Sequence, residues 1–146
     1  MNEQDNLQTV RTIYAAFGRG DLLELLSMLS ETVEWRAGGE SGALPYAGVR
    51  RGLAEVAEFF RILNDTVKFE ELRSDEFVSQ RDKVIAIGHD RRRIKGATQT
   101  IENDWVIVWT LGRDGKVIKF HAHDDTATIA AGFAAMNAGH SSARVK

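Results

Sequence analysis

Between Val67 and His123 the apolar residues stop recurring at helical spacing, and four runs rich in β-branched and aromatic residues follow one another: Val67 to Ser79, Lys83 to Lys95, Gln99 to Leu111 and Lys116 to His123. Arg81-Asp82, Lys95-Gly96 and Gly112 to Gly115 punctuate these runs as turns, which predicts four consecutive antiparallel strands. The stretch Trp105 to Leu111 is apolar at nearly every position. Such a strand needs cover on both faces, from helices, from sheet curvature or from a second subunit.

The half of the chain before Val67 has a different period. Leu7, Val10, Ile13, Tyr14 and Phe17 recur at helical spacing and stop at Gly18 and Gly20. Asp21 stands at an N-cap position with Glu24 as capping-box partner, opening a short second helix. Thr32 to Arg36 reads as a brief strand, and Gly38 to Gly52, which holds the only proline, Pro45, reads as a loop long enough to hint at function. Leu53, Val56, Phe59, Phe60 and Leu63 predict a third helix ending near Asn64, and Asp125 or Thr126 caps a last one through Ile129, Phe133 and Met136. Helices followed by long strands predict an α+β fold, with three N-terminal helices on one face of a curved, mainly antiparallel sheet and a short C-terminal helix. The expected limits are one domain over residues 1–138 and a flexible tail over 139–146.

Composition narrows the chemistry. With 146 residues, 43% apolar and 27% charged, the chain suits one packed domain. A net charge of -2 and scattered basic residues argue against nucleic acid as a partner. Without cysteine there is no disulfide and no thiolate chemistry. No apolar run approaches the ~18 residues of a membrane span, so no membrane is expected and a cytoplasmic location is the default.

Several strings resemble one family. Ile13-Tyr14-Ala15-Ala16-Phe17 with Gly20-Asp21, Val33-Glu34-Trp35, Tyr46-Ala47-Gly48 with Arg51-Gly52, Asp114-Gly115-Lys116-Val117 and Asp125-Thr126 together resemble the SnoaL-like group of the nuclear transport factor 2-like superfamily, related to ketosteroid isomerases and polyketide cyclases. The resemblance implies a cone-shaped fold, a pocket between the helices and the concave sheet face, and a homodimer through the opposite face. Laid on the ketosteroid isomerase pattern, Tyr14 falls within one residue of the oxyanion tyrosine, while the base position falls at Trp35 and the partner acid near Ile107. That mechanism is therefore not expected. The aspartate of polyketide cyclases would fall near Ala122, with Asp124 two residues further on the same side of a regular strand.

The candidate catalytic residues are His123, Asp124 and Asp125. His121 and His123 share one strand face, Asp124 takes the other, and Asp125 turns toward the last helix. Either an imidazole, oriented by Asp125, does acid/base work, or the histidines lie on the outer sheet face or at a dimer contact. Two imidazoles with His89 as a third ligand could hold a metal, but no specific zinc spacing is present and none is assigned. The arginine run Arg91 to Arg93, which follows Asp90, reads as a solvated strand end, and Asp104 is expected to pair with an arginine of the neighbouring strand.

The expected pocket consists of Tyr14, Trp35, Tyr46, Phe59, His89, Trp105, Ile107, Trp109 and Phe120. By the parity of the resemblance, Trp105, Ile107 and Trp109 share its face, as do Ile118, Phe120, Ala122 and Asp124, unless a bulge flips them. With no nucleotide-binding glycine motif or nucleophile triad, no cofactor is expected. Two functions remain open: binding of a small, largely apolar, cyclic or carbonyl-bearing ligand with cofactor-independent acid/base chemistry, or a non-catalytic ligand-binding or dimerisation module.

Overall fold

The computed structural model describes residues 2–39 and 44–145, with side chains of the last helix as far as Asn137. Helix α1 (Glu3–Arg19) starts at a capping box in which Asn2 accepts from the Asp5 N–H, and it ends at Gly20, whose left-handed φ of 71° suits glycine. Asp21 caps α2 (Leu22–Ser27) by accepting the Glu24 N–H at 3.1 Å. The Glu24 carboxylate closes no capping box and instead pairs with Arg19.

Strand β1 (Leu29–Ala37) extends the predicted strand at both ends. The predicted loop over residues 38–52 lies partly outside the described residues, and its end is corrected. Gly48–Arg51 form a strand, β2, antiparallel to β1, with Trp35 opposite Arg50. Helix α3 (Gly52–Thr66) follows directly, buries Val56, Phe59, Phe60 and Leu63, and lays that face against β1.

The four long strands are β3 (Val67–Gln80), β4 (Lys83–Ile94), β5 (Ile101–Leu111) and β6 (Val117–His123), each antiparallel to the next. The six-stranded sheet has the order β2-β1-β6-β5-β4-β3, so its one parallel pair joins β1 to β6. Helix α4 (Thr126–Val145) begins at Asp125, whose carboxylate accepts from the Thr128 N–H and hydroxyl. Its backbone stays helical through residues 139–145, where the sequence reading placed a tail. Among the described residues no helix is long and apolar enough to cross a membrane.

One break in strand regularity matters for the pocket. Thr110 pairs with Lys119 but Leu111 pairs with Val117, which leaves Ile118 as an extra, bulged residue. Ile118 is therefore turned outward and 36% exposed, which corrects its expected place on the Phe120 face, and Val117 is fully buried in its stead.

Candidate functional site

The inner sheet face and the helices enclose an apolar cavity of about 110 Å³. An engineered cavity of about 150 Å³ admits benzene, so this space matches one small ring or less. Eight of the nine residues expected in the pocket surround it: Tyr14, Trp35, Tyr46, Phe59, Trp105, Ile107, Trp109 and Phe120. Trp35 stacks on Phe120 with ring centroids 3.7 Å apart, and Trp109 sits edge-on to both. Tyr14 stacks on Trp105 and accepts a hydrogen bond from Trp109 Nε1 at 3.2 Å. Its hydroxyl pKa is raised, first by burial and then by the charge of Asp124, so Tyr14 stays protonated.

Phe17, Leu25, Phe60, Phe69 and Leu72 line this cavity and also an open groove of about 700 Å³ between the α1–α2 turn and β3. Those five side chains form the wall between the cavity and the groove.

Polar groups meet the cavity where β4, β5 and β6 come together. Period-two alternation along β4 turns Val84, Ala86, Gly88, Asp90, Arg92 and Ile94 inward and His89, Arg91 and Arg93 outward. Asp90 and Arg92 are therefore 1% and 4% exposed, and the burial of Arg92 corrects the reading of the arginine run as a solvated strand end. Arg92 donates from Nε and Nη2 to the two Asp90 oxygens at 2.8 and 2.6 Å, and from Nη1 to the Tyr46 hydroxyl at 3.1 Å. Asn103, fully buried on β5, donates from Nδ2 to Asp90 at 3.0 Å and to Asp124 Oδ1 at 2.9 Å, and accepts the Asp125 N–H at 2.8 Å. Arg92 Nη2 also lies 3.6 Å from Asp124 Oδ1.

Two carboxylates thus share one guanidinium in a low-dielectric setting, where such charges persist only when paired. Burial alone would lower the Arg92 pKa, but hydrogen bonding to Asp90 and the nearby charges of Asp90 and Asp124 more than offset this and raise it. Burial, tempered by Arg92, pushes the Tyr46 hydroxyl up to about 12.

The structure separates the three candidate catalytic residues. Asp124 lines the cavity, Asp125 caps α4, and His123 lies on the outer face with His121, their rings 4.1 Å apart. The imidazole reading of the pocket is corrected accordingly, because alternation through Phe120, Ala122 and Asp124 turns both histidines away. The His121 pKa is lowered, first by burial and then by His123 and Arg36.

His89 is also corrected. It lies on the outer face, where Asp104 holds Nδ1 at 2.7 Å and Glu102 holds Nε2, and these hydrogen bonds raise its pKa. Asp104 thereby pairs with this histidine and not with an arginine. Among the described residues no group of three or more His, Cys, Asp or Glu side chains is placed to hold a metal ion. Sequence reasoning missed Asp90, Arg92 and Asn103, although the alternation begun at Val84 and Ala86 carries straight through the first two.

A family model described as a SnoaL-like domain matches residues 10–120. No curated protein matches the chain. Among solved structures, a nuclear transport factor 2-like protein from Burkholderia xenovorans LB400 is 34% identical, with a TM-score of 0.81 over 91% of this chain and 98% of that one. A second, from Burkholderia pseudomallei K96243, is 30% identical, with a TM-score of 0.77 over 88% and 95%. TerC, co-crystallised with polyporic acid, is 27% identical, with a TM-score of 0.76 over 88% and 98%.

Proposed function

The chain belongs to the SnoaL-like domain family, and from that premise we propose that its cavity takes up a small, largely apolar, carbonyl-bearing ring compound on which Asp124 moves a proton. The observation that carries this reading is the state of Asp124. Its Oδ1 is held by Asn103, while Oδ2 has no hydrogen-bond partner among the described residues, on the wall of a cavity lined mostly by apolar and aromatic side chains. Asp90, the other carboxylate on that wall, has both oxygens committed to Arg92. The co-crystallisation of TerC with polyporic acid supports an organic ligand in this fold.

In the proposed step a C–H bond beside the ligand's carbonyl breaks, its proton goes to Asp124, and the electron pair moves onto the carbonyl oxygen. The protonated Tyr14 hydroxyl, whose oxygen already accepts from Trp109, donates toward that oxygen. Return of the proton to the remote carbon of a conjugated dienolate completes an isomerisation; alternatively the enolate carbon attacks a second carbonyl carbon of the same molecule, the new C–C bond closes a ring, and the proton passes from Asp124 to that carbonyl's oxygen. No cofactor enters the step.

Exchange of the α-hydrogens of cyclohexanone for deuterium, followed by NMR, tests this without knowledge of the natural substrate. The protein should accelerate exchange, Asp124→Asn should abolish the acceleration, and His123→Gln should leave it intact. Equal rates with and without Asp124 would remove it from the mechanism. Saturable binding with no exchange would favour a second reading, a binding protein without turnover, for which the hold of Asn103 and Arg92 on Asp124 already speaks.

We further propose that two copies pair through the outer sheet face, as the family resemblance implies. There Ile85 lies opposite Val108 and Ile87 opposite Val106, an apolar strip bordered by His121 and His123. Sedimentation should show a dimer, and Val106→Glu, at a side chain 37% exposed, should give a monomer. A monomeric parent protein would overturn the pairing.

A further inference from the structure

A wall one side chain thick separates the cavity from the groove beside it, since Phe17, Leu25, Phe60, Phe69 and Leu72 border both spaces. Leu25 and Phe60 are 2% and 4% exposed, but Phe17, Phe69 and Leu72 are only half-buried. The cavity holds about 110 Å³, whereas the groove holds about 700 Å³ over a floor made of these five side chains and Leu22. The polar residues of the groove, such as Asn64, Lys68 and Lys95, are exposed and stand at its rim. An apolar floor left open to water carries a cost that an apolar occupant removes.

Two members of the wall owe their place to a break in strand alternation. Phe69 and Leu72 are three residues apart, and in a regular strand they would face opposite sides of the sheet. On β3, however, Phe69 lies opposite Arg92 and Glu71 opposite Arg91, which leaves Glu70 as a bulged residue. The extra residue turns Phe69 and Leu72 to the same inner face, while Glu70 and Glu71 pair with Arg93 and Arg91. The Arg92 guanidinium stands 4.9 Å from the centre of the Phe69 ring, and Phe17 meets that ring edge-on at 5.8 Å. Such contacts are individually weak, so displacing the ring costs little when other apolar atoms take its place.

We propose that the groove is the second half of the ligand site: the ligand's ring sits in the cavity, and an alkyl tail on that ring passes where Phe69 now stands and lies along the groove floor. The inference rests on the reading of the cavity as a ligand site and adds the substrate class, a ring ketone with an unbranched apolar tail in place of a bare ring. Phe69 is then the door between the two halves. Leu22, which borders the groove and not the cavity, touches the tail.

The test uses the full chain and four probes that share one ring: cyclohexanone and its 4-methyl, 4-propyl and 4-pentyl derivatives. Affinity, read from NMR titration, should rise about 2- to 4-fold for each methylene added beyond the methyl group. Intermolecular NOEs should join the ring protons to Ile107, which borders the cavity and not the groove, and the terminal methyl of the pentyl chain to Leu22. Gly18 lies in the last turn of α1 on the groove, and a Cβ there would meet nothing within 4 Å. Gly18→Phe should therefore fold, fill the groove and erase the gain per methylene. Phe69→Ala, which removes the door, should raise the association rate of the pentyl probe several-fold, with Phe69→Leu as the substitute if the alanine variant does not fold.

If cyclohexanone binds but a longer tail adds nothing, if the gain survives Gly18→Phe, or if the terminal methyl never approaches Leu22, the groove is no part of the site. The inference is then overturned while the cavity remains a ligand site. An unchanged association rate without the Phe69 ring overturns its role as the door. If no probe saturates the protein, the ligand reading itself fails and this inference with it.

Discussion

Asn103 holds Asp124: its Nδ2 stands 2.9 Å from Asp124 Oδ1 while the same nitrogen reaches Asp90 at 3.0 Å. One neutral amide thus spaces two carboxylates that would otherwise repel each other, and its carbonyl fixes the start of α4 through the Asp125 N–H. Replacing Asn103 with Ala removes all three contacts. The expected loss of stability is about 2–4 kcal/mol, read from urea unfolding, together with loss of the proposed α-exchange activity. A variant of unchanged stability would show that the amide does not organise the cluster.

Among the described residues Arg92 is the single cation between Asp90 and Asp124. Arg92→Met strands buried negative charge and should cost about 3–5 kcal/mol. Adding Asp90→Asn to it should recover at least about 1 kcal/mol, because contacting charges couple. Strict additivity in the double-mutant cycle would contradict the pairing.

Gly88 lies opposite both Ser74 and Trp105 in the sheet. A Cβ at this position would fall 2.2 Å from the Arg73 carbonyl oxygen and from Trp105 Cζ2. Gly88→Ala should therefore lower stability by about 1–3 kcal/mol and change the fluorescence attributable to Trp105. A variant with parental melting and emission would mean that the sheet yields there without cost.

His89 gives the fold a pH dependence of definite sign. Its hydrogen bonds to Asp104 and Glu102 raise its folded-state pKa. The folded state therefore holds the proton more tightly than the unfolded chain does. The stabilisation is fully present below the unfolded value of about 6.5 and fades as pH rises through the higher folded value. Melting temperatures of the parent and of His89→Gln should differ most in mild acid and converge in mild alkali. Divergence toward alkali would reverse the assignment.

Much of this architecture could be read from residue types alone. Strand positions in the second half came from turn signals and β-branched content, and the resemblance put Trp105, Ile107 and Trp109 on one face with Phe120, Ala122 and Asp124. What stayed hidden depended on partners distant in sequence. Strand β2 is four residues long and is recognisable only through its pairing with β1. The bulge at Ile118 follows from how β6 registers with β5, which no local pattern records. Asp90 and Arg92 misled because charge usually means solvent, and partners distant in sequence, Tyr46, Asn103 on β5 and Asp124 just past β6, make their burial tolerable.

The parallel pairing of β1 with β6 brings Trp35 beside Phe120, near opposite ends of the chain. During synthesis the first hairpin and its helices therefore have no sheet to join until the final strand emerges. Closure over so long a loop carries a large entropic cost before any contact repays it. Pulse-labelled hydrogen exchange should find β3, β4 and β5 protected before β1; simultaneous protection would contradict this order. The cavity is then the last part of the molecule to come into being, and no molecule that fits it could stabilise a nascent chain before the last strand is made.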